Sequence, residues 1–164
     1  GGPIDAYANA ETLAMLQERF AYVFEPYPTP QPQFWRPCLV PRLIDGPLAL
    51  GGLNIQSFRQ EHGRMPSLGF RFGPFAYSTD AKSMSEEAFG ILEGVDTWIV
   101  DALSETPHPT HSHLEQTLEW IERVRPRRAI LTHLSHRMDY EILRRKLPAG
   151  VEPGFDGMVI EIPE

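Results

Sequence analysis

Tyr77-Ser78-Thr79-Asp80-Ala81-Lys82 reads as a short apolar strand that breaks off at a lone aspartate. His62 stands 18 residues before Asp80, His133 stands 53 after it, and each of these histidines closes a run with strand character. In layered α/β proteins, rigid elements aim ligand-type side chains from their ends toward one point. Neutral imidazole together with carboxylate suits zinc, manganese or iron. His62, Asp80 and His133 are therefore the candidate metal ligands, and an α/β fold is the expected frame.

Upstream of this stretch the chain is rich in strands. Ile4 to Ala8 alternates, and Asn9 occupies the N-cap position of a helix over Ala10 to Phe20, with Leu13, Leu16, Phe20 and Phe24 as its apolar stripe. Residues 26–41 hold six prolines together with Phe34 and Trp35. Helix is excluded there. The segment is either a lid-like loop or a surface connection whose aromatics cover the core. Leu39 to Leu43 and Leu48 to Leu50 are short strands split by Asp45-Gly46-Pro47, and Gly52 to Glu61 alternates through Leu53, Ile55, Ser57 and Arg59 before His62-Gly63. Ser67 to Gly73 and Pro74 to Ser78 complete a β-meander.

Downstream of Asp80, strands and helices alternate. Ser83 with Glu86 forms a capping box for a helix through Leu92 that Gly94 stops. Thr97 to Val100 is a continuous apolar run, as expected of a strand covered on both faces, and it ends in Asp101. A second capping box, Ser112 with Glu115, opens a helix whose stripe is Leu114, Leu118, Ile121 and Val124. Ala129 to Thr132 is a strand delivering His133. Met138 to Leu147 is a helix, and Met158 to Ile162 a closing strand.

All six histidines fall in three clusters: His62, then His108, His111 and His113, then His133 and His136. A single histidine is more often structural than functional, but clusters at strand ends around a strand-end aspartate favour a site. His111 precedes the expected N-cap Ser112, a position that disfavours imidazolium yet lies where anions gather. The functional reading is a proton donor to a leaving oxygen or a hydrogen bond to phosphate, and the alternative is a solvated loop.

The 164 residues fit one domain, with 41% hydrophobic and 23% charged residues and a net charge of −7. That balance argues against extended nucleic acid or an anionic membrane surface as partner. One cysteine, Cys38, excludes an internal disulfide and fits a reducing compartment. No run approaches the length of a membrane span, and the reading is cytoplasmic.

Five segments together carry a resemblance: His62-Gly63, Tyr77 to Asp80, Trp98 to Leu103, Pro107 to His111, and Leu131 to His136. In order and spacing they resemble the metallo-β-lactamase superfamily, and within it the phosphoribosyl 1,2-cyclic phosphate phosphodiesterase branch. Leu147 to Val151 and Phe155 to Met158 agree with that branch. The resemblance implies part of a four-layer αββα sandwich and two divalent metal ions, manganese or zinc or iron. It implies His62 as a ligand of one metal, Asp80 as the carboxylate bridging both, His133 as the last ligand on the second, and His111 as an aid to phosphodiester cleavage.

The family signature His-x-His-x-Asp-His is absent from the chain. The expectation is therefore a single partial domain, the C-terminal portion of such an enzyme, that alone binds metal weakly and turns over little. The implied parent is a metal-dependent phosphodiesterase acting on a small phosphorylated substrate such as a cyclic phosphate. A homo-oligomer or a complementing N-terminal segment would complete the fold. The reading from another class is a non-catalytic α/β module with a vestigial metal site used for protein interaction.

Overall fold

The computed structural model describes residues 2–25 and 38–162, in two compact units, Gly1–Pro47 and Leu48–Glu164. The proline-rich reading over residues 26–37 lies outside the described residues.

In the first unit, β1 (Ile4–Ala8) pairs in parallel with β2 (Leu39–Leu43), from Ile4 opposite Leu39 to Ala8 opposite Leu43. Asn9 caps α1 (Ala10–Arg19) as expected, its side chain accepting from the Thr12 backbone N–H at 2.8 Å. Leu13 is buried, but Phe20 is 42% exposed. Helical phase is lost at Phe20 (φ −127°, ψ 38°), so its ring leaves the stripe before the short α2 (Ala21–Phe24) begins.

The second unit is built on one sheet. Its strands are β3 (Leu48–Leu50), β4 (Leu53–His62), β5 (Met65–Phe72), β6 (Phe75–Ser78), β7 (Ser83–Met84), β8 (Thr97–Asp101), β9 (Arg128–Thr132) and β10 (Val151–Pro153). The spatial order is β10-β9-β8-β6-β5-β4-β3, with β7 also pairing β4. The expected meander is present, since β3 through β6 pair antiparallel in succession, and β6, β8, β9 and β10 then pair in parallel. Two antiparallel steps bring β4 back to the direction of β6. The C-terminal ends of β4, β6, β8 and β9 therefore emerge on one edge of the sheet, and these ends carry His62, Asp80, Asp101 and His133.

Helices α3 (Glu86–Leu92) and α4 (Leu114–Val124) cover one sheet face. Ala76, Trp98, Val100, Ala129 and Leu131 pack there against Ala88, Phe89, Leu92, Trp120 and Ile121. The other face, at Tyr77, Ile99 and Ile130, borders an open cleft of about 430 Å³, where Ile99 is half-buried while the rest of β8 is buried. One sheet and one helical layer make the β–α half of the expected layering.

Several local expectations shift. In β4 the buried phase is Phe58 and Gln60 rather than Leu53, Ile55 and Ser57, because Phe58 joins the core under the helices. Gly69 makes this possible: a Cβ there would sit 2.3 Å from the Phe58 ring. Ser83 pairs with Glu61 as part of β7, and Ser85 is the cap of α3, accepting from the Ala88 N–H at 3.2 Å. Ser112 does not cap α4, since its hydroxyl donates to the Asp101 carbonyl at 2.8 Å and His113 takes the N-cap position. The last helix, α5 (Tyr140–Lys146), starts two residues late, behind the Asp139 cap. Met158 to Ile162 forms no strand, and Val159 is 83% exposed. The edge position beside β9 is taken instead by β10.

Candidate metal centre and histidine cluster

Asp80 sits two residues beyond β6 with φ 56°, and His133 one residue beyond β9 with φ 61°. Both lie in the left-handed region, where non-glycine residues are uncommon and cluster at functional sites. The backbone at Asp80 is clamped from the neighbouring strands: the Ser67 hydroxyl donates to the Asp80 carbonyl at 2.7 Å, and Gln60 Nε2 donates to the Thr79 carbonyl at 3.0 Å. Beneath them, Trp98 Nε1 donates to Ser78 Oγ at 2.9 Å, tying β8 to β6 in the core.

This scaffold brings the expected residues together. Asp80 Oδ1 lies 3.7 Å from His62 Nε2 and 3.9 Å from His133 Nε2. His111 joins them: donor atoms of His62, Asp80 and His111 all lie within 4.8 Å of one another. Its ring is stacked on His133 and edge-on to His62, with centroids 4.6 Å apart in both pairs. His108 lies alongside, 5.3 Å from the His111 ring. His113 and His136 make no ring contact with this group. His113 caps α4 with its Nδ1 buried and unpartnered among the described residues.

The hydrogen bonds fix which nitrogen faces the cluster. His62 Nδ1 lies 2.8 Å from the Thr110 carbonyl. A carbonyl only accepts, so Nδ1 carries the proton and Nε2 is left as a lone pair directed toward Asp80. His111 Nδ1 lies 2.9 Å from Asp101 Oδ2, and the same logic leaves its Nε2 free. Asp101 is wholly buried and also accepts from the Ala81 N–H at 2.9 Å. Its backbone carbonyl takes the Ser112 and Thr117 hydroxyls.

Donor chemistry and spacing fit a divalent metal. Ligand atoms around a tetrahedral ion with bonds of ~2.1 Å stand ~3.4 Å apart, close to the 3.7 and 3.9 Å that separate the imidazole nitrogens from Asp80. An imidazole whose second nitrogen donates to a carbonyl or carboxylate is the usual outer arrangement of a metal-ligating histidine.

Sequence reasoning missed Asp101 as the partner of His111. The signal was the one that marked Asp80: a carboxylate closing an apolar strand. The Thr110 carbonyl carries no sequence signal, since it acts through backbone.

A family model described as a beta-lactamase superfamily domain matches residues 1–134. An octanoyltransferase of Porphyromonas gingivalis (strain ATCC BAA-308 / W83) is 29% identical over 160 residues, covering 96% of this chain and 32% of that protein. Among solved structures, a diphosphatase from the PhnP family aligns with a TM-score of 0.86 at 29% identity, covering 99% of this chain and 60% of that one. The metallo-β-lactamase fold protein YhfI from Bacillus subtilis aligns with a TM-score of 0.71 at 15% identity, over 95% of this chain and 63% of that one, a likeness of fold alone. The chain thus spans about a third of the curated relative and 60% of the diphosphatase.

Proposed function

This chain belongs to the beta-lactamase superfamily domain family and has its mixed α/β fold, and from that premise we propose that it is the C-terminal part of a metal-dependent hydrolase that cleaves small phosphodiesters. The two units form parts of one domain in this reading, supported by a family match that runs across their boundary. The observation that carries the proposal is the convergence of His62 and His133 Nε2 on one oxygen of Asp80. Likeness to a diphosphatase over 99% of the chain favours phosphorus as the centre attacked.

His62, Asp80 and His133 would hold the divalent metal. When bound, the metal supplies Lewis-acid stabilisation of the phosphoryl charge and activates water. His111 Nε2, free while Nδ1–H is held by Asp101, would first take up a proton and then give it to the departing oxygen, the buried Asp101 carboxylate stabilising the imidazolium formed in between. The partners of the two rings differ in charge. His62 leans on a neutral carbonyl, which suits a ligand that stays uncharged. His111 leans on a carboxylate, which suits a ring that gains and loses charge.

Activity belongs to the full-length protein, and the 164-residue chain alone holds metal weakly. The test is hydrolysis of bis(4-nitrophenyl) phosphate by the full-length protein with manganese or zinc, alongside Asp80→Asn. Turnover abolished by Asp80→Asn supports the proposal. No turnover with either metal, or full turnover in Asp80→Asn, sinks it.

A further inference from the structure

Asp80 stands at the end of a row of residues that crosses β4, β5 and β6. Phe70 of β5 pairs with Tyr77 of β6, and that register, carried three residues further, sets Ser67 opposite Asp80. On the other side of β5, Gln60 of β4 is the register partner of Ser67. The regular ladder has stopped by Asp80, and side chains take its place. Gln60 Nε2 donates to Ser67 Oγ and to the Thr79 carbonyl, each at 3.0 Å, and the Ser67 hydroxyl donates to the Asp80 carbonyl at 2.7 Å. We propose that Gln60 and Ser67 are positioning residues of the metal centre, a hydrogen-bond relay that aims the Asp80 carboxylate. The inference rests on the reading of Asp80 as a metal ligand and adds two residues that are not ligands themselves.

The two peptide planes around Asp80 carry the argument. Because peptides are planar, a residue has only φ and ψ, the rotations of its flanking planes about Cα. The plane before Asp80 contains the Thr79 carbonyl, which Gln60 holds. The plane after it contains the Asp80 carbonyl, which Ser67 holds, and the Ala81 N–H, which donates to Asp101 Oδ2 at 2.9 Å. Both rotations are thereby fixed, at a left-handed φ of 56° that is unfavourable for a residue with a Cβ. Release of either carbonyl lets Asp80 relax to right-handed or extended backbone. That turn redirects Cα–Cβ and takes the carboxylate off the line to His62 and His133 Nε2.

Burial of Gln60 is otherwise unfavourable. It is 1% exposed, in the phase of β4 that also buries Phe58, and its Oε1 is buried with no hydrogen-bond partner among the described residues. An apolar side chain would avoid that penalty. The Thr79 carbonyl only accepts, which fixes Nε2 on that side, and both amide hydrogens go into the relay. The gain that offsets the orphaned oxygen lies there. Gly69 leaves the room: a Cβ at that position would sit 2.6 Å from Gln60 Oε1.

The test is zinc titration of the full-length protein and, in its metal-free form, the backbone NMR coupling and Cα shift of Asp80. Gln60→Met keeps the side-chain length and removes both donors, and Ser67→Ala removes the hydroxyl. Each should weaken zinc binding about 10–100-fold, the loss typical of an outer partner of a metal site. The double variant should fall no further than the weaker-binding single, because releasing either plane suffices. Ser67→Thr, which keeps the hydroxyl, should bind zinc like the parent. Leu92→Val, a core truncation where α3 leads toward the start of β8, should lower urea stability and leave zinc affinity intact. Asp80 should read as left-handed in the parent, Ser67→Thr and Leu92→Val, and as relaxed in Gln60→Met and Ser67→Ala. Parent-like zinc affinity or a left-handed Asp80 in Gln60→Met and Ser67→Ala overturns the relay. Additive losses in the double variant, or an equal loss in Leu92→Val, overturn it too, and a parent that binds no zinc removes its premise. Zinc binding that depends on the relay, without turnover of bis(4-nitrophenyl) phosphate, would fail the phosphodiesterase reading and leave the positioning role standing.

Discussion

Asp101→Asn separates a proton-transferring His111 from a metal-ligating one. In the native protein the carboxylate accepts from His111 Nδ1 and from the Ala81 N–H through one oxygen, Oδ2. The other oxygen, Oδ1, is buried without a hydrogen-bond partner among the described residues. Asparagine keeps both bonds by placing its carbonyl oxygen where Oδ2 stood, and its amide then occupies the Oδ1 position with no acceptor to meet. Two charge-assisted bonds become neutral and one buried donor goes unanswered, partly offset by relief from burying a carboxylate. The expected destabilisation is about 1–3 kcal/mol. The Nδ1–H tautomer survives, but stabilisation of the imidazolium is lost. A carboxylate that orients a catalytic histidine is worth ~10⁴ in kcat where its loss also changes the tautomer. With the tautomer kept, a fall of about 10²–10³ in kcat is expected, or roughly 3–4 kcal/mol.

Steady-state hydrolysis of bis(4-nitrophenyl) phosphate by the full-length protein, zinc titration and urea denaturation together read the three terms. Zinc affinity should stay within about threefold of the parent, because His62, Asp80 and His133 are untouched; an outer partner of a ligand would be worth about 10–100-fold. An unchanged kcat would refute the proton-donor role. A parallel fall of kcat and zinc affinity would refute it differently, by making His111 a ligand.

Two further outcomes follow from the scaffold. Gly63 has φ +67°, and a Cβ there would lie 2.5 Å from Thr110 Cγ2, so Gly63→Ala should destabilise by about 1–3 kcal/mol and, by shifting the Thr110 carbonyl that holds His62, weaken zinc binding. Denaturation and zinc titration identical to the parent would mean that the 107–110 loop does not depend on this hairpin tip. Asp96 receives a two-pronged Arg127 guanidinium, with both bonds at 2.9 Å, and the Thr97 hydroxyl at 3.0 Å, an arrangement that holds its carboxyl below the usual aspartate range. A lowered carboxyl contributes stability above its unfolded-state value, near 4, that is lost as pH falls through the folded one. Asp96→Asn should therefore be less stable than the parent at pH 7, and the gap should close on acidification through that range. A gap that persists in strong acid would assign the effect to something other than the ion pair.

Much of the frame was legible because strands that end in a ligand announce themselves. Apolar runs halt at Asp80, Asp101 and His133, and β6, β8 and β9 lie where those runs were read. The meander and the Asn9 cap followed from turn residues and local side-chain chemistry. The misread features share one cause, competition from distant partners. Ser83 and Ser112 carry capping signals, but β4 claims the first and the Asp101 carbonyl the second. The phase of β4 was set by Phe58 reaching the helices, and a strand with apolar side chains in both registers does not reveal that choice. The convergence on Asp80 was readable as three strand ends. The nesting of His111 between His62 and His133 was not, since it depends on where a loop 49 residues past His62 comes to rest.

The left-handed backbone at Asp80 and His133 has an evolutionary consequence. Glycine at either position would relax the chain by roughly 1 kcal/mol and erase a ligand in the same step. Selection for robustness alone would thus drift toward glycine there, and selection for turnover would hold the line against it. A homologous chain with glycine at both positions would be one that had exchanged catalysis for durability, with the sheet beneath left unchanged.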